Sequence, residues 1–320
     1  MHDTTLQLNL SPGDIKYAHI TVPALVNSHR YSVREVLAVV DCCRPQKTKL
    51  VDPDKRFPEL VFAQKVEKIS AIVEDLKNKG YIDRVVYLTP GHPLQRTISE
   101  KYLNGYVNET HDYGGCALMS YLAAFELTTT QYIIHYDADM LIYSEPGYDW
   151  AIEAKTLIDK EPKAVAATPR ISPPLPENVS VDAPSLHEER PLSSVEGGWR
   201  NDWFSTRCFL MDINKLSNYL PLMQGRLLLE TALVKLLNRG YPRSPEIMLF
   251  KRIGFSGGWR LNLSSRKSWL LHPKEKPERF LNLLPQIQSS IGYGLVPKAQ
   301  KGYADIDLAA WEEYFSKLIP

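Results

Sequence analysis

The run Tyr132-Ile133-Ile134-His135-Tyr136-Asp137-Ala138-Asp139-Met140 joins a short apolar and aromatic stretch to two carboxylates spaced by one residue. A run of this length and composition suits a strand buried on both faces, the kind found in the middle of a parallel sheet. Open α/β sheets bind ligands outside the carboxyl ends of their strands, and this strand ends in acids. Alternation places Asp137 and Asp139 on the same side, so one can take a divalent cation and the other a water ligand or a ribose hydroxyl. A hard cation held by one or two carboxylates keeps open positions for phosphate oxygens. Asp-x-Asp also arises in turns and helix caps, so the flanking sequence decides its meaning.

Working outward, strand and helix signals alternate, the pattern of an α/β sheet with parallel strands. Residues 17–25 and 35–40 read as strands, the second ending at Asp41. Val66, Ile69, Ile72, Val73 and Leu76 share a helical face within 61–79, with Gly80 as the stop. Residues 84–88 read as the next strand, and 116–127 as an apolar helix leading into the acid-tipped strand. Downstream, residues 161–191 hold seven of the 23 prolines, which predicts an extended, irregular connection, neither helix nor central strand. Residues 204–211 and 268–271 read as strands and 227–238 as a helix stopped at Gly240. Asp307 caps a last helix in which Leu308, Trp311, Phe315 and Leu318 share a face.

The composition narrows the classes. With 320 residues, 44% of them hydrophobic and 23% charged, the chain can bury a large core without staples. Lys and Arg number 38 against 37 Asp and Glu, a net +1 that argues against a polyanion-coated surface and hence against nucleic acid as a partner. The four cysteines form no Cys-x-x-Cys pair, so neither a zinc site nor a disulfide framework is indicated. No apolar run approaches the ~18 residues of a membrane span, and the first residues lack a basic stretch followed by an apolar one. The expectation is a cytoplasmic protein with no transmembrane span, with a peripheral place at a membrane left open.

The succession Tyr113-Gly114-Gly115-Cys116-Ala117, a helix, the strand and Asp137-Ala138-Asp139 resembles the glycosyltransferase family 2 pattern on the GT-A fold. Val33-Arg34-Glu35-Val36-Leu37-Ala38-Val39-Val40-Asp41 looks like that family's second strand, and together these cover most of residues 17–143. The resemblance implies an α/β, GT-A (Rossmann-like) mixed, mostly parallel central sheet flanked by helices, with C-terminal helices. It implies a single domain, with a nucleotide-sugar half over 1–143, an acceptor half over 144–272 and a helical extension over 273–320. The implied activity is metal-dependent, inverting transfer of a sugar from a nucleotide-diphosphate sugar to an acceptor hydroxyl. Mn²⁺ or Mg²⁺ would be the cation, a UDP-sugar is among the candidate donors, and the acceptor would be a saccharide, a lipid-linked molecule or another hydroxyl compound.

Carried over residue by residue, the resemblance gives Asp137 and Asp139 to the metal and the donor, and Gly115 to the donor. Trp269-Leu270-Leu271-His272-Pro273 looks like the late strand whose His completes the metal shell, and a neutral His272 imidazole suits Mn²⁺ better than Mg²⁺. Lys274 and Lys276 either meet phosphates or remain solvated. Asp41 is either a nucleotide ligand or a strand-end turn former, and the family's acid-Ser-x-Asp run is replaced here by Asp41-Cys42-Cys43-Arg44-Pro45. The family's acid-bearing helix corresponds to Leu228-Leu229-Glu230-Thr231. Glu230 is therefore the expected catalytic base, and Asp202 in Trp199-Arg200-Asn201-Asp202-Trp203 is the second candidate. Gly-Gly-Trp-Arg occurs at 197–200 and 257–260, as recurring turns, and Trp199 and Trp203 are candidate sugar contacts.

Two other readings compete. A nucleotidyltransferase would carry a Gly-rich basic phosphate loop near the N-terminus, and residues 17–41 contain no glycine. An inactive, carbohydrate-binding relative of the transferases stays open because the family's second acid is missing beside Glu230.

Overall fold

Polar side chains buried among apolar ones open the sheet. Thr5, Gln7 and Asn9 alternate with Leu6, Leu8 and Leu10 in the first strand, and all six are buried. The computed structural model describes residues 3–175 and 193–317. In chain order the elements up to residue 168 are β1 (Thr4–Leu10), α1 (Ala18–Asn27), β2 (Glu35–Asp41), α2 (Pro53–Arg56), α3 (Glu59–Asn78), β3 (Arg84–Leu88), α4 (Pro93–Leu103), α5 (Met119–Leu127), β4 (Tyr132–Asp137), β5 (Leu141–Ser144), α6 (Trp150–Lys160) and β6 (Ala164–Thr168). From residue 193 they are β7 (Ser193–Val195), β8 (Gly198–Asn201), β9 (Cys208–Asp212), α7 (Ile213–Ser217), α8 (Gly225–Leu236), α9 (Pro245–Phe255), β10 (Trp259–Leu263), β11 (Ser268–Leu271), α10 (Glu278–Gly292) and α11 (Leu308–Ser316).

Among the described residues the main sheet has nine strands in the order β3-β2-β1-β4-β9-β6-β10-β8-β7. The first four are parallel, β9 is antiparallel to both β4 and β6, β10 is parallel to β6, and β8 is antiparallel to β10 and β7. Only β9 and β8 therefore oppose the common direction, which is the mixed, mostly parallel sheet expected. Alternation along the strands splits the core in two. Leu6, Leu8, Val36, Ala38, Ile134 and Tyr136 belong to the apolar cluster covered by α1, α3, α6, α10 and α11. Leu37, Val39, Ile133, Phe209 and Met211 belong to the one covered by α4, α5 and α9. A second, two-stranded sheet pairs β11 antiparallel with β5.

Several expectations are corrected. Residues 17–25 form the helix α1, where buried Ala18, Thr21, Val22, Leu25 and Val26 follow helical spacing and Pro23 is accommodated within the helix. β-Branched residues suggested a strand, and tertiary burial of that stripe prevailed. Strand β1 is absent from the sequence reading. Within 161–191, residues Ala164–Thr168 form a fully buried strand between β9 and β10. Pro162 and Pro169 fall just outside it, so no ladder donor is lost. The remainder of that stretch from 176 to 191 lies outside the described residues, as does Leu318. The helix expected from 116 begins at Met119, and the strand expected from 204 begins at Cys208.

The two Gly-Gly-Trp-Arg runs enter neighbouring strands. Gly197 and Gly257 take φ of +75° and +77°, and β8 and β10 then pair antiparallel with Trp199 opposite Asn262. Gly198 is required by close approach: a Cβ there would meet the Asn262 carbonyl oxygen at 2.1 Å. Gly198→Ala should therefore lower stability by about 2–3 kcal/mol in urea or thermal unfolding. Gly292→Ala, where a Cβ meets nothing within 4 Å, should stay within about 0.5 kcal/mol of the wild type.

Candidate functional site

The acids at the end of β4 are held by their backbone first. The Asp137 N–H donates to the Arg207 carbonyl (2.9 Å), the Met140 N–H to the Asp137 carbonyl (3.1 Å), and the Thr21 hydroxyl of α1 to the Ala138 carbonyl (2.5 Å). Asp137 Oδ1 accepts the Tyr121 hydroxyl at 2.5 Å and lies 3.3 Å from His135 Nε2. His135 is fully buried, stacks on Phe209 at 4.8 Å and contacts Gln7 Oε1 through its other ring nitrogen. The buried polar face of β1 thus sets the position of Asp137.

Asp139 faces the other way along the cleft. Its Oδ2 is 2.6 Å from Lys276 Nζ and 3.8 Å from His272 Nε2, while its Oδ1 is buried with no hydrogen-bond partner among the described residues. His272 arrives on the end of β11, and its main chain is fixed by the Ala304 carbonyl and the Ile306 N–H, each at 2.9 Å. Its Nδ1 lies 3.1 Å from Asp305 Oδ1. That contact orients the ring and turns Nε2 toward Asp139, the arrangement typical of ligating histidines.

A cleft runs beside these groups. Asp14, Tyr121, Asp137 and Asp139 line a chamber of about 190 Å³. Ser11, Cys116 and Ala117 line it too, and also line a second chamber of about 260 Å³ with Asp41, Pro45, Phe57, His111 and Gly115. Asp14 accepts the Ser11 N–H (2.6 Å), the Ser11 hydroxyl (3.1 Å) and the Tyr17 hydroxyl. Burial pushes its carboxyl up to about 6, with the Asp139 charge acting in the same sense. Asp41 is likewise pushed up to about 7 by burial, although the Cys43 N–H donates to its Oδ1 at 2.9 Å. His111 Nε2 is 3.4 Å from Asp41 Oδ2, and burial brings that imidazole down to about 4. Gly115 adopts φ +83° in the lining of the second chamber, in a turn shaped by Asp112 Oδ1 accepting from Gly114 N (2.8 Å) and Cys116 N (2.9 Å).

Of the residues expected from sequence, Asp41, Gly115, Asp137 and Asp139 line this cleft, and His272 stands at Asp139. Trp199, Trp203 and Asp202 line neither chamber. Arg170 lies over the Trp199 ring at 5.6 Å, Trp203 packs on Phe250 at 4.8 Å, and Asp202 packs beside Gly254 of α9. Glu230 is not brought to the acids. Its carboxylate accepts from Lys251 and from Arg226 (2.8 Å), which lower its pKa, and Arg243 stands at 3.9 Å. A carboxylate so engaged makes a poor proton acceptor.

Three groups escaped the sequence reading. Asp14 follows β1, the missed strand. Asp305 meets His272 through an isolated parallel bridge 33 residues on. Glu246 starts α9 behind the Ser244 cap and Pro245. Burial raises its pKa and the Asp137 charge adds to the rise, opposed by Arg207, the Thr206 backbone and the Trp203 side chain. The Ser244-Pro245-Glu246 helix-start signal was the clue available for it. Among the described residues, no three His, Cys, Asp or Glu side chains are gathered as a ready metal cage.

No protein-family model matches the chain, and no curated protein does either. Among solved structures it is similar to the galactosyltransferase LgtC in complex with donor and acceptor sugar analogs, at 12% identity and TM-score 0.39 over 98% of this chain and 94% of that one. It is similar to mouse xyloside xylosyltransferase 1, at 13% identity and TM-score 0.39 over 80% and 82%. It is also similar to glucosyl-3-phosphoglycerate synthase from Mycobacterium tuberculosis in complex with Mn²⁺, UDP and glucosyl-3-phosphoglycerate, at 12% identity and TM-score 0.36 over 91% and 78%. At these values the likeness assigns no activity, and the site has to be read from its own residues.

The Asp41–His111 pair predicts a pH signature. Folded Asp41 keeps its proton to about 7 while the unfolded chain releases it near 3.8, so its contribution to stability falls as pH rises through that window. His111 acts oppositely between about 4 and 6.5, where the unfolded chain takes up the proton. Asp41→Asn removes the first effect and leaves the second. Its unfolding free energy should gain about 1–3 kcal/mol on the wild type between pH 4.5 and pH 8, as read by urea titrations across pH.

Proposed function

We propose that the protein is a glycosyltransferase that moves a sugar from a nucleotide-diphosphate sugar to an acceptor hydroxyl, with inversion and with a divalent cation. The observation that carries this reading is the two-chambered cleft at the carboxyl ends of β1, β2 and β4, with Asp137 and Asp139 in one chamber and Asp41 and Phe57 in the other. A nucleoside suits the second chamber, where Phe57 and Pro45 offer apolar walls and Asp41 a hydrogen-bonding tip. The diphosphate then falls beside Asp137 and Asp139.

The donor set fits a hard or borderline cation. Asp139 offers a buried oxygen with no partner, Asp137 lies in the same chamber, and His272 presents an Nε2 oriented through Asp305. When bound, Mn²⁺ or Mg²⁺ would neutralise the diphosphate and stabilise charge on the departing nucleotide. Lys276, 2.6 Å from Asp139, supplies a second positive charge to the phosphates. Glu246 replaces Glu230 as the proposed base: it sits at a helix start near Asp137, and its raised pKa makes it a better proton acceptor. It would take the proton of the acceptor hydroxyl as that oxygen attacks the anomeric carbon opposite the leaving phosphate. Trp203, whose side chain reaches Glu246, would then meet the acceptor sugar.

The test is nucleotide release from a panel of nucleotide sugars, with Mn²⁺ and with EDTA. Release should require the cation, and Asp139→Ala should lower it at least 100-fold. Glu246→Gln should lower kcat by roughly 10²–10³ with donor affinity retained, while Glu230→Gln stays near wild type. Full turnover in EDTA that is lost in Lys276→Ala would instead give the cationic role to the lysine.

A further inference from the structure

Helix α8 is apolar on two opposite faces. Leu227 and Thr231 are buried against the core, as a surface helix requires. On the other side Leu229, Leu233, Leu236 and Leu237 follow the spacing i, i+4, i+7, i+8 and fall within one stripe about 100° wide. All four face solvent, Leu236 at 83% and Leu229 at 72% exposure. Phe255, the last residue of α9, extends the stripe at the start of α8: it is 52% exposed and lies under the Arg226 guanidinium at 5.0 Å. Scattered exposed leucines need no explanation, but an aligned ridge of four with an adjoining phenylalanine does.

The surroundings of the ridge are basic. Residues 225–256 carry six Lys and Arg against two acids, Glu230 and Glu246. Glu230 is shared by Arg226, Arg243 and Lys251, so the cluster flanking the leucines keeps a net positive charge. Glu246 is half-buried at the far end of α9. Arg239 is exposed just beyond the helix. A leucine ridge bordered by cations is the surface of a helix that lies in the plane of an anionic bilayer, apolar side chains among the acyl chains and cations at the lipid phosphates. Among the described residues no helix is long and apolar enough to cross a membrane.

We propose that the exposed face of α8, with Phe255, docks the protein on anionic lipid. The proposal rests on exposure and charge and stands whether or not the protein transfers sugars. It gives the cleft an orientation: α9 carries Glu246 at its first turn and Phe255 at its end, about 14 Å apart along the helix. With Glu246 as the proposed base, an acceptor displayed at the bilayer surface would lie within about 14 Å of it.

The test is sedimentation of the full chain with vesicles of phosphatidylcholine alone and of phosphatidylcholine with phosphatidylglycerol, at 0.1 and 0.5 M salt. Binding to the anionic vesicles should be at least tenfold stronger and should fall with salt. The double change Leu233→Glu and Leu236→Glu should abolish it while leaving the melting temperature unchanged, since both side chains are exposed. Leu233→Trp should show a blue-shifted emission increment on anionic vesicles, marking insertion of that position. Absence of vesicle binding, or binding indifferent to the leucine changes, overturns the proposal. So does a concentration-dependent dimer that the double change dissociates, which would assign the ridge to a second copy.

Discussion

The hydrogen bond from the Thr21 hydroxyl to the Ala138 carbonyl fixes the geometry on which the cleft depends. Ala138 separates the two acids, and its carbonyl is the backbone group that leaves the sheet as β4 ends. Caught by α1, it turns Asp137 toward Tyr121 and His135 and Asp139 toward Lys276 and His272. Without that tether, neighbouring carboxylates in a buried setting would be expected to swing apart toward solvent. The tether also ties the acids to the loop that carries Asp14, because Asp14 accepts from Tyr17, the residue that precedes α1.

Charge in the cleft is arranged as a deficit. Asp14, Asp137 and Asp139 line one chamber and Asp41 the next, while Lys276 is the cation paired with Asp139. Burial answers part of that excess by holding Asp14 and Asp41 protonated toward neutrality. The rest is left for whatever enters. A site of this kind favours a cation and, with it, a polyanionic ligand over either alone, because each removes the repulsion that opposes the other. The near-zero net charge of the whole chain conceals this local imbalance and the opposite one around α8.

What the sequence discloses depends on how locally each feature is determined. Strands β2 and β3 and helix α3 were readable almost to the residue, because a continuous apolar run or a 3.6-residue stripe specifies them without help from elsewhere. Strand β1 was not, since its Thr5, Gln7 and Asn9 look solvent-facing until Thr130 and His135 are there to receive Thr5 and Gln7. Helix α1 carried β-branched residues and a proline, and only its buried stripe made it helical. The acids and His272 were legible as strand ends. Asp305 was not, because its meeting with His272 is a tertiary bridge with no trace in spacing. Glu230 and Glu246 look alike in sequence, each an acid near an expected helix start, although α8 begins at Gly225 and carries Glu230 mid-helix. What separates them is that three cations surround one and Asp137 neighbours the other.

The small sheet of β5 and β11 has a bearing on how the molecule is made. Ser144 and Ser268, 124 residues apart, close this ladder hydroxyl to hydroxyl, immediately after the acids and just ahead of His272. Closing so long a loop costs about 4 kcal/mol in chain entropy. During synthesis the acids emerge with the early parallel strands, while the imidazole and the ammonium that face them leave the ribosome long afterwards. Until then Asp139 lacks both of those partners. The closing of a four-residue ladder is what delivers His272, and Lys276 beyond it, to Asp139.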